Sequence, residues 1–168
     1  MTTLILTVAG SDRPGLVAAV ADVVDAHGGN WESSQLGELA GVFAGVIQLS
    51  VPTERATGLQ EALGSLDGLL TVSVHTGADA AQSPERPITL QVLGNDRPGI
   101  VREISAVLQG HGVSIEKIGT ETRDAAMAGG RLFDASVTAT IPASADLAAL
   151  RADLERLTSE LQVDITLD

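Results

Sequence analysis

Some residue types are missing from this sequence or scarce in it, and this excludes several kinds of functional site. It contains no cysteine and no tyrosine, one tryptophan and two phenylalanines. Without cysteine there can be no disulfide framework, no thiolate nucleophile and no cysteine-ligated metal. Aromatic residues make up only 2% of the chain, which leaves little for base stacking or for an aromatic cage around a cation. The core is therefore expected to consist of Leu, Val, Ile and Ala.

Basic residues are also scarce. Ten Lys and Arg residues stand against 22 Asp and Glu residues, the formal net charge is −12, and Lys117 is the only lysine. Direct nucleic-acid binding is not expected, because that affinity comes mainly from basic side chains that neutralise phosphates. The sequence shows no signal peptide and no apolar run near the roughly 18 residues of a spanning helix. A cytoplasmic protein with no membrane partner is therefore expected.

A six-residue motif occurs twice and organises the chain. It reads Gly-Ser-Asp-Arg-Pro-Gly at Gly10–Gly15 and Gly-Asn-Asp-Arg-Pro-Gly at Gly94–Gly99. Residues 5–32 align with residues 89–116 at an offset of 84, with 12 identities in 28 positions. A repeat at half the chain length predicts two domains of one fold. We expect domains at residues 1–76 and 88–168, joined by a polar, proline-containing linker at residues 77–87.

Hydrophobic periodicity predicts the order strand–helix–strand–strand–helix–strand in both halves. The first half has predicted strands at Leu4–Ala9, Asn30–Glu38, Val42–Val51 and Leu69–His75, and predicted helices from Pro14 to His27 and from Thr53 or Glu54 to Leu66. The second half has predicted strands at Pro87–Leu93, Val113–Arg123, Arg131–Ile141 and Val163–Leu167, and predicted helices at Pro98–His111 and Ser144–Glu160. The predicted fold class is α+β, with two ferredoxin-like domains whose antiparallel sheets carry helices on one face.

One hairpin is expected to differ between the copies. Phe43 aligns with Phe133 and Pro52 with Pro142, an offset of 90 rather than 84. The second copy therefore has about six extra residues within Asp124–Gly130. We expect that hairpin loop to be longer and more mobile than its counterpart.

The repeated motif lies where a strand turns into a helix, and the first N–H groups of a helix favour an anion. Pro14 is predicted as the first helical residue, since its φ is already helical. An amino-acid carboxylate would fit against the N–H groups of Gly15, Leu16 and Val17. Asp12 could either cap those groups or bind a ligand ammonium. The motif is also ordinary helix-start chemistry, so a purely structural role remains an alternative.

Other polar residues give weaker indications. His27 and His111 end the two first helices, where capping or a dipole interaction is expected rather than catalysis. Glu32 and Glu116 begin strands and have no repeated acid nearby, so they are interpreted as edge or interface groups. The sequence has no nucleophile elbow, dinucleotide fingerprint, phosphate loop or metal-ligand cluster. We therefore expect neither an enzyme nor a cofactor.

The order of motifs in each half resembles an ACT domain. A strand is followed by Gly-x-Asp-Arg-Pro-Gly-Leu/Ile-Val, then by a helix, and then by His-Gly-x-Asn/Ser and an aliphatic residue. The resemblance covers Thr2–Thr76 and Pro87–Asp168. Two such domains in tandem resemble the glycine cleavage system transcriptional repressor family, and Asn30–Gln35 is similar to the second strand of that group. The same stretch resembles the N-terminal ACT domain of formyltetrahydrofolate deformylases, whose catalytic domain has no counterpart in this sequence.

The resemblance implies a regulatory protein that senses an amino acid or a similar small metabolite between paired domains. The implied contacts come from the first strand-to-helix turn of one domain and from the second strand of its neighbour. It further implies control of transcription of amino-acid metabolism through a protein partner. The implied ligand contacts are Ser11, Asp12, Arg13, Gly15, Leu16, Val17 and Asn30 in the first copy, and Asn95, Asp96, Arg97, Gly99, Ile100 and Val101 in the second. Ser114 stands where ligand-binding members often have Asn, so the first copy is predicted to be the better site.

Two further expectations concern assembly. Exposed edge strands need cover, so the domains are expected to join sheets edge to edge or helices face to face, within the chain or in a homodimer. An assembly module that binds a protein partner without any small ligand is the alternative function.

Overall fold

The computed structural model describes residues 1–77, 85–124, 130–161 and 163–167. The chain divides into two compact units, Met1–Ala80 and Ala81–Asp168. Each unit contains a four-stranded antiparallel sheet and two helices in the predicted order, which confirms the α+β fold class. Most of the predicted linker, residues 78–84, and most of the predicted hairpin insertion, residues 125–129, lie outside the described residues.

The first unit has the strand order β2-β3-β1-β4 across its sheet. Its strands are β1 (Thr2–Ser11), β2 (Asn30–Leu39), β3 (Val42–Val51) and β4 (Thr71–Thr76), and its helices are α1 (Leu16–Ala26) and α2 (Ala56–Gly64). A short 3-10 turn at Thr53–Arg55 precedes α2, so the helix starts later than predicted. Because β2 lies at one edge of the sheet, its outer side has no neighbouring strand in this unit.

The second unit repeats this arrangement in the order β6-β7-β5-β8. Its strands are β5 (Glu85–Asn95), β6 (Ser114–Asp124), β7 (Arg131–Pro142) and β8 (Val163–Leu167), and its helices are α3 (Ile100–Gly110) and α4 (Leu147–Leu161). The strand β6 is the counterpart of β2 and likewise lies at an edge.

Several boundaries in the second unit differ from the prediction, and two of these differences have a clear physical reason. β5 begins at Glu85, so residues 85–87 belong to a strand rather than to the linker. Pro87 fits there because it pairs with β7 alone, the ladder to β8 beginning only at Leu90. The helix α4 begins at Leu147 rather than at Ser144. Asp146 caps it, since its Oδ1 accepts hydrogen bonds from the backbone N–H groups of two residues in the first turn, at 2.9 and 3.1 Å.

The central strands bury alternate apolar side chains against the helices. The core of the first unit consists of Leu4, Leu6, Val8, Leu16, Val20, Val24, Ile47, Leu49, Val51, Leu59, Leu63 and Leu70. The core of the second unit consists of Ile88, Leu90, Val92, Ile100, Ile104, Leu108, Phe133, Ala135, Val137, Ala139, Ile141, Leu150, Leu154 and Leu157. Both cores are almost entirely aliphatic, as the composition predicts, and the two clusters share no residue.

Each of the edge strands β2 and β6 contains a β-bulge at the same position of the repeat. Glu32 is the extra residue in β2 and Glu116 is the extra residue in β6. The pairing with β7 then places Ile115 and Ile118 on the helix side of the sheet and Lys117 on the opposite side, called here the outer face. The bulge therefore decides which side chains of β6 each face of the sheet carries.

Candidate functional site: the strand-to-helix turns

A left-handed glycine begins the first helix of each unit. Gly15 has φ 94° and ψ −2°, and Gly99 has φ 98° and ψ −8°. Each glycine is the N-cap, and its carbonyl accepts the first helical hydrogen bond, at 2.9 Å in the first unit and 3.0 Å in the second. Pro14 is therefore not the first helical residue, because a glycine with positive φ stands between it and the helix. The Pro-Gly pair forms a turn that sets the direction in which the helix leaves the strand.

The predicted capping role of Asp12 is wrong in this structure. Neither α1 nor α3 has a side-chain hydrogen bond at its N-cap, and Asp12 and Asp96 are exposed. Their backbone N–H groups are used instead. Asp12 donates to the carbonyl of Gly41 at 2.9 Å, and Asp96 donates to the carbonyl of Arg131 at 2.8 Å. These bonds tie each turn to the hairpin beside it, while the carboxylates stay free of the helix.

The two arginines of the motif have different partners. Arg13 donates from Nη2 to the carbonyl of Gly68, at 3.0 Å. Arg97 instead forms an ion pair with Glu103, in which Nη2 lies 2.9 Å from Oε2. The residue of the first unit that corresponds to Glu103 is Ala19, which cannot form such a pair. Among the residues that the structure describes, the arginine is therefore neutralised by a carboxylate in the second unit but not in the first.

A cavity of about 390 Å³ lies beside the turn of the first unit. It is lined by Ala9, Gly10, Ser11, Arg13, Asp67, Gly68, Leu69, Leu70 and Thr71. Gly10 allows β1 to approach the segment before β4 closely, because a Cβ at this position would lie 2.8 Å from the carbonyl oxygen of Leu69. The lining includes one guanidinium and one carboxylate, together with two hydroxyl groups. Opposite charges in one cavity suit a ligand that itself carries both charges.

The segment from Ser65 to Leu70 supplies half of this cavity, and its contribution is not evident from the motif. Asp67 and Thr71 were missed as site residues because they are distant from the motif in sequence. No sequence pattern indicated this difference, because helix and strand were predicted two residues apart in both units. In the structure six residues separate α2 from β4, whereas a single residue separates α4 from β8. The second unit therefore lacks the segment that forms this wall.

The predicted contacts of the first copy do not all lie together. Along β1, Ser11 pairs with Val42 at one end of the sheet, whereas the β2 residue Asn30 pairs with Ser50, which pairs with Thr3 at the other end. Ser11 lies eight residue steps from Thr3, a distance of about 26 Å in a strand. Asn30 thus lies far from the turn of its own unit. A ligand could contact both only if another domain supplied one of them.

Within the turns, the predicted residues divide into buried and exposed sets. Leu16 and Ile100 are buried in the two cores, so only their backbone groups could meet a ligand. Val17 and Val101 are exposed at 45% and 43%. Ser11, Arg13 and Gly15 are exposed as well, and so are Asn95, Asp96 and Arg97, while Gly99 is half-buried.

The histidines end their helices, which confirms the prediction from their position. His27 and His111 are the C-caps of α1 and α3. The ring Nδ1 of His27 lies 2.8 Å from the carbonyl oxygen of Val23, and Nε2 of His111 lies 2.8 Å from Oδ2 of Asp153 on α4. Both rings therefore have structural partners within their own units.

In the part of the chain that the structure describes, no three or more His, Cys, Asp and Glu side chains lie together so that they could hold a metal ion. Within the same residues, no helix is long and apolar enough to cross a membrane.

Comparison with known proteins identifies the repeat. The family model of the ACT domain matches residues 2–76 and residues 86–168. The glycine cleavage system transcriptional repressor of Escherichia coli (strain K12) is 29% identical over 161 residues, which cover 94% of this chain and 85% of that protein. The repressor of the same name from Shigella flexneri matches with the same values.

Solved structures agree with this assignment. An unknown protein from Galdieria sulphuraria is 30% identical, with a TM-score of 0.90 and coverage of 99% of this chain and 97% of that one. The crystal structure of a candidate glycine cleavage system transcriptional repressor has a TM-score of 0.70 at 18% identity, with coverage of 99% and 96%. At that identity the second structure shows the fold alone. The chain therefore belongs to the ACT domain family, of which it carries two repeats.

Proposed function

We propose that this protein is an amino-acid-responsive regulator of transcription that acts through a protein partner. The family assignment supports a regulatory role, and the curated relatives over most of the chain are transcriptional repressors of the glycine cleavage system. The net charge of −12 favours a protein partner over direct contact with DNA, because phosphates repel an acidic surface. The same comparisons support regulation rather than catalysis.

The observation that carries this proposal is the cavity beside Arg13. An α-amino acid has a carboxylate and an ammonium on neighbouring atoms. In the proposed complex the guanidinium of Arg13 binds the carboxylate, since planar guanidinium groups match carboxylates well, and Asp67 binds the ammonium. The hydroxyl groups of Ser11 and Thr71 line the same space. A volume of about 390 Å³ is within the usual range for small-molecule sites and exceeds what a small amino acid needs.

The first unit is proposed as the sensor and the second unit as a partner in assembly. In the second unit the guanidinium of Arg97 already pairs with Glu103. A single residue separates α4 from β8, so this unit lacks the segment that forms the cavity wall in the first unit. This agrees with the preference for the first copy predicted from sequence, but for a different reason. That prediction relied on Asn30, which the resemblance assigns to a site shared with a neighbouring domain.

Binding is tested by isothermal titration calorimetry with the full chain and a panel of amino acids. Glycine heads the panel because the curated relatives regulate the glycine cleavage system. Asp67→Asn and Arg13→Ala are each expected to weaken binding about tenfold or more, since a hydrogen bond to a charged group is removed. Arg97→Ala is the matched control and should bind as the parent chain does. If no amino acid releases heat even near millimolar concentration, the sensor proposal fails.

A ligand-free assembly module is the second candidate, and the second unit favours it. There the arginine of the motif is neutralised within the unit by a carboxylate. The two candidates differ in one readout. If Asp67→Asn abolishes amino-acid-dependent regulation of a reporter gene, the sensor is supported. If regulation persists in Asp67→Asn and Arg13→Ala alike, the chain works by assembly alone.

A further inference from the structure

The outer face of the first sheet, the side opposite its helices, carries an apolar stripe along β3. The pairing of the strands places five apolar residues next to one another on this face, namely Leu39, Val42, Ala44, Val46 and Ile5. Leu39, Val42 and Val46 are exposed at 82%, 51% and 42%. A contiguous apolar surface of this kind marks an interaction site. We propose that two copies of this chain associate by stacking the outer faces of their first units on each other, about a two-fold axis that crosses β3 near Gly45.

The same face carries very little charge. Among the described residues of this face, Glu32 is the only Asp, Glu, Lys or Arg; it lies in the bulge at the edge and accepts a hydrogen bond from Gln48 at 3.0 Å. The stripe is otherwise bordered by Ser, Thr, Asn and Gln side chains and by His75. Because the chain has a net charge of −12, two copies repel each other over most of their surfaces. This face is therefore where they can approach at the least electrostatic cost.

The lack of charge also decides which partner the face suits. A different protein that recognises so acidic a chain is expected to present basic residues, and this face offers them a single carboxylate at its edge. A second copy needs no complementary charge. An isologous interface requires only that the face complements itself.

The face complements itself because it has both a projecting side chain and a recess. Leu39 projects from the end of β2, and a recess of about 160 Å³ lies farther along the face. On this face the recess is lined by Ile5, Ser33, Gln35, Val46 and Gln48.

The pairing of β2 with β3 sets the position of the axis. Leu39 pairs with Val42, three residues before Gly45, and Ser33 pairs with Gln48, three residues after it. Rotation about an axis across the strands at Gly45 therefore places Leu39 of one copy over the recess of the other. The same rotation places the second Leu39 over the first recess, so both projections are buried together.

The face is large enough for a stable pair. Three of its four strands have ten residues. Such strands are about 30 Å long and four of them span about 15–19 Å, which gives a flat area of roughly 500 Å². Stacking would remove about 1,000 Å² from solvent in the two copies together, the size from which specific interfaces are expected. Stacked sheets lie about 10 Å apart, so the side chains of both faces fill the space between them.

The outer face of the second sheet does not share these features. Asp134 occupies the position of Ala44, and Arg123 occupies the position of Leu39. Stacking that face on itself would bury charged side chains, which is costly unless each charge is paired. The proposal is therefore specific to the first unit.

The inference goes beyond the proposed amino-acid site and is tested separately from it. Ala9 and Ser11 line the cavity and also lie at one end of the outer face. The association is therefore measured without amino acid, so that its outcome does not depend on the proposed function.

Substitution of Leu39 tests the interface. We expect a mass of at least twice 17.2 kDa by light scattering and sedimentation equilibrium. Leu39→Asp should raise the dissociation constant about tenfold or more, because the projecting side chain is lost and a charge faces the recess. Leu39→Met keeps an apolar side chain of similar volume and should associate as the parent chain does. Gln60→Glu on α2 is the matched control, since it adds the same charge on the helix side and should leave the association unchanged.

A second substitution tests the region of the axis. Ala44→Asp introduces the residue that the second unit has at this position, and it should also raise the dissociation constant about tenfold or more. Added salt should strengthen the association of the parent chain, because it screens the repulsion between the copies while the stacked faces contain no ion pair to weaken.

Cross-linking gives a readout that adds no charge, since the chain has no cysteine of its own. Ala44→Cys lies one residue from the axis, so a short bifunctional thiol reagent should join two chains. The same reagent should leave Gln60→Cys, on the helix side, as single chains. A mass of 17.2 kDa at all concentrations, an association indifferent to both Leu39→Asp and Ala44→Asp, or dissociation by salt would overturn the proposal.

Discussion

At the scale of single residues, Ala19 and Glu103 decide how available the arginine of each motif is. They occupy equivalent positions one turn into α1 and α3, and only Glu103 reaches the arginine of its turn. In the first unit Arg13 therefore keeps its charge beside the cavity, where it donates to the carbonyl of Gly68. One substitution thus separates a turn that can bind a carboxylate from a turn that already holds one.

Ala19→Glu is expected to convert the first turn to the state of the second. The new carboxylate should draw Arg13 away from the cavity and lower amino-acid affinity about tenfold or more. The free energy of unfolding should change by less than about 1 kcal/mol, because exposed ion pairs contribute little. Calorimetry and urea denaturation measure the two effects. Ala19→Gln, of similar size but uncharged, should bind normally, and an Ala19→Glu chain that binds as tightly as the parent would contradict this account.

The sequence predicted the motif residues but not all of their roles. Asp12 looks like a capping residue because an acid before Pro-Gly is common at helix starts. The actual cap is Gly15, whose left-handed conformation depends on how the turn closes in three dimensions. Asp67 was not predicted at all, since it reaches the site only through the close approach of Gly10 to Leu69. Such contacts between distant segments leave no local pattern.

At the scale of helices and strands, hydrophobic periodicity predicted which elements form and in what order, but it predicted their first and last residues less well. The strand Val42–Val51 and the strand Val163–Leu167 have the predicted bounds, because apolar runs bordered by turns define them well. Helix starts were placed too early by two or three residues. A helix begins where a cap satisfies its first N–H groups, and at α4 that cap is Asp146 rather than the predicted start, Ser144.

The start of α4 gives a test of that choice. Asp146→Ala should lower the free energy of unfolding by about 1 kcal/mol, because the loss leaves two N–H groups of the first turn without their side-chain acceptor. Ser144→Ala should have an effect of less than about 0.5 kcal/mol, as expected for a surface residue with no such role. Chemical denaturation of both variants compares them directly. Equal losses at the two positions would show that the cap is misplaced.

At the scale of the whole molecule, two separate aliphatic cores carry the fold. The first is centred on Leu4, Leu6 and Val8 of β1, and the second on Ile88, Leu90 and Val92 of β5. The repeat in sequence predicted this division, since each copy contains a full set of apolar strands and helices. What the repeat could not predict is how the surroundings of the two turns differ, which depends on Ala19 against Glu103 and on the segment between the second helix and the last strand.

Because the two cores are separate, a substitution that destabilises one unit is expected to leave the stability of the other unit unchanged. Leu6 is fully buried, so Leu6→Ala should destabilise the first unit by about 2–5 kcal/mol. Hydrogen exchange measured by mass spectrometry should then speed up in β1 and β3 while β5 and β7 keep the protection of the parent chain. Faster exchange of similar size in both units would mean that the units unfold as one.

The bulges at Glu32 and Glu116 have a consequence for insertions and deletions. Loss of Glu116 would leave Ile115, Lys117 and Ile118 in strict alternation, with every other side chain of β6 on its present face. Loss of a residue nearer the middle of the strand would reverse the faces of all residues on one side of the gap. The edge of the sheet can thus shorten by one residue at the bulge, and length changes there would leave the pattern of charges along β6 intact.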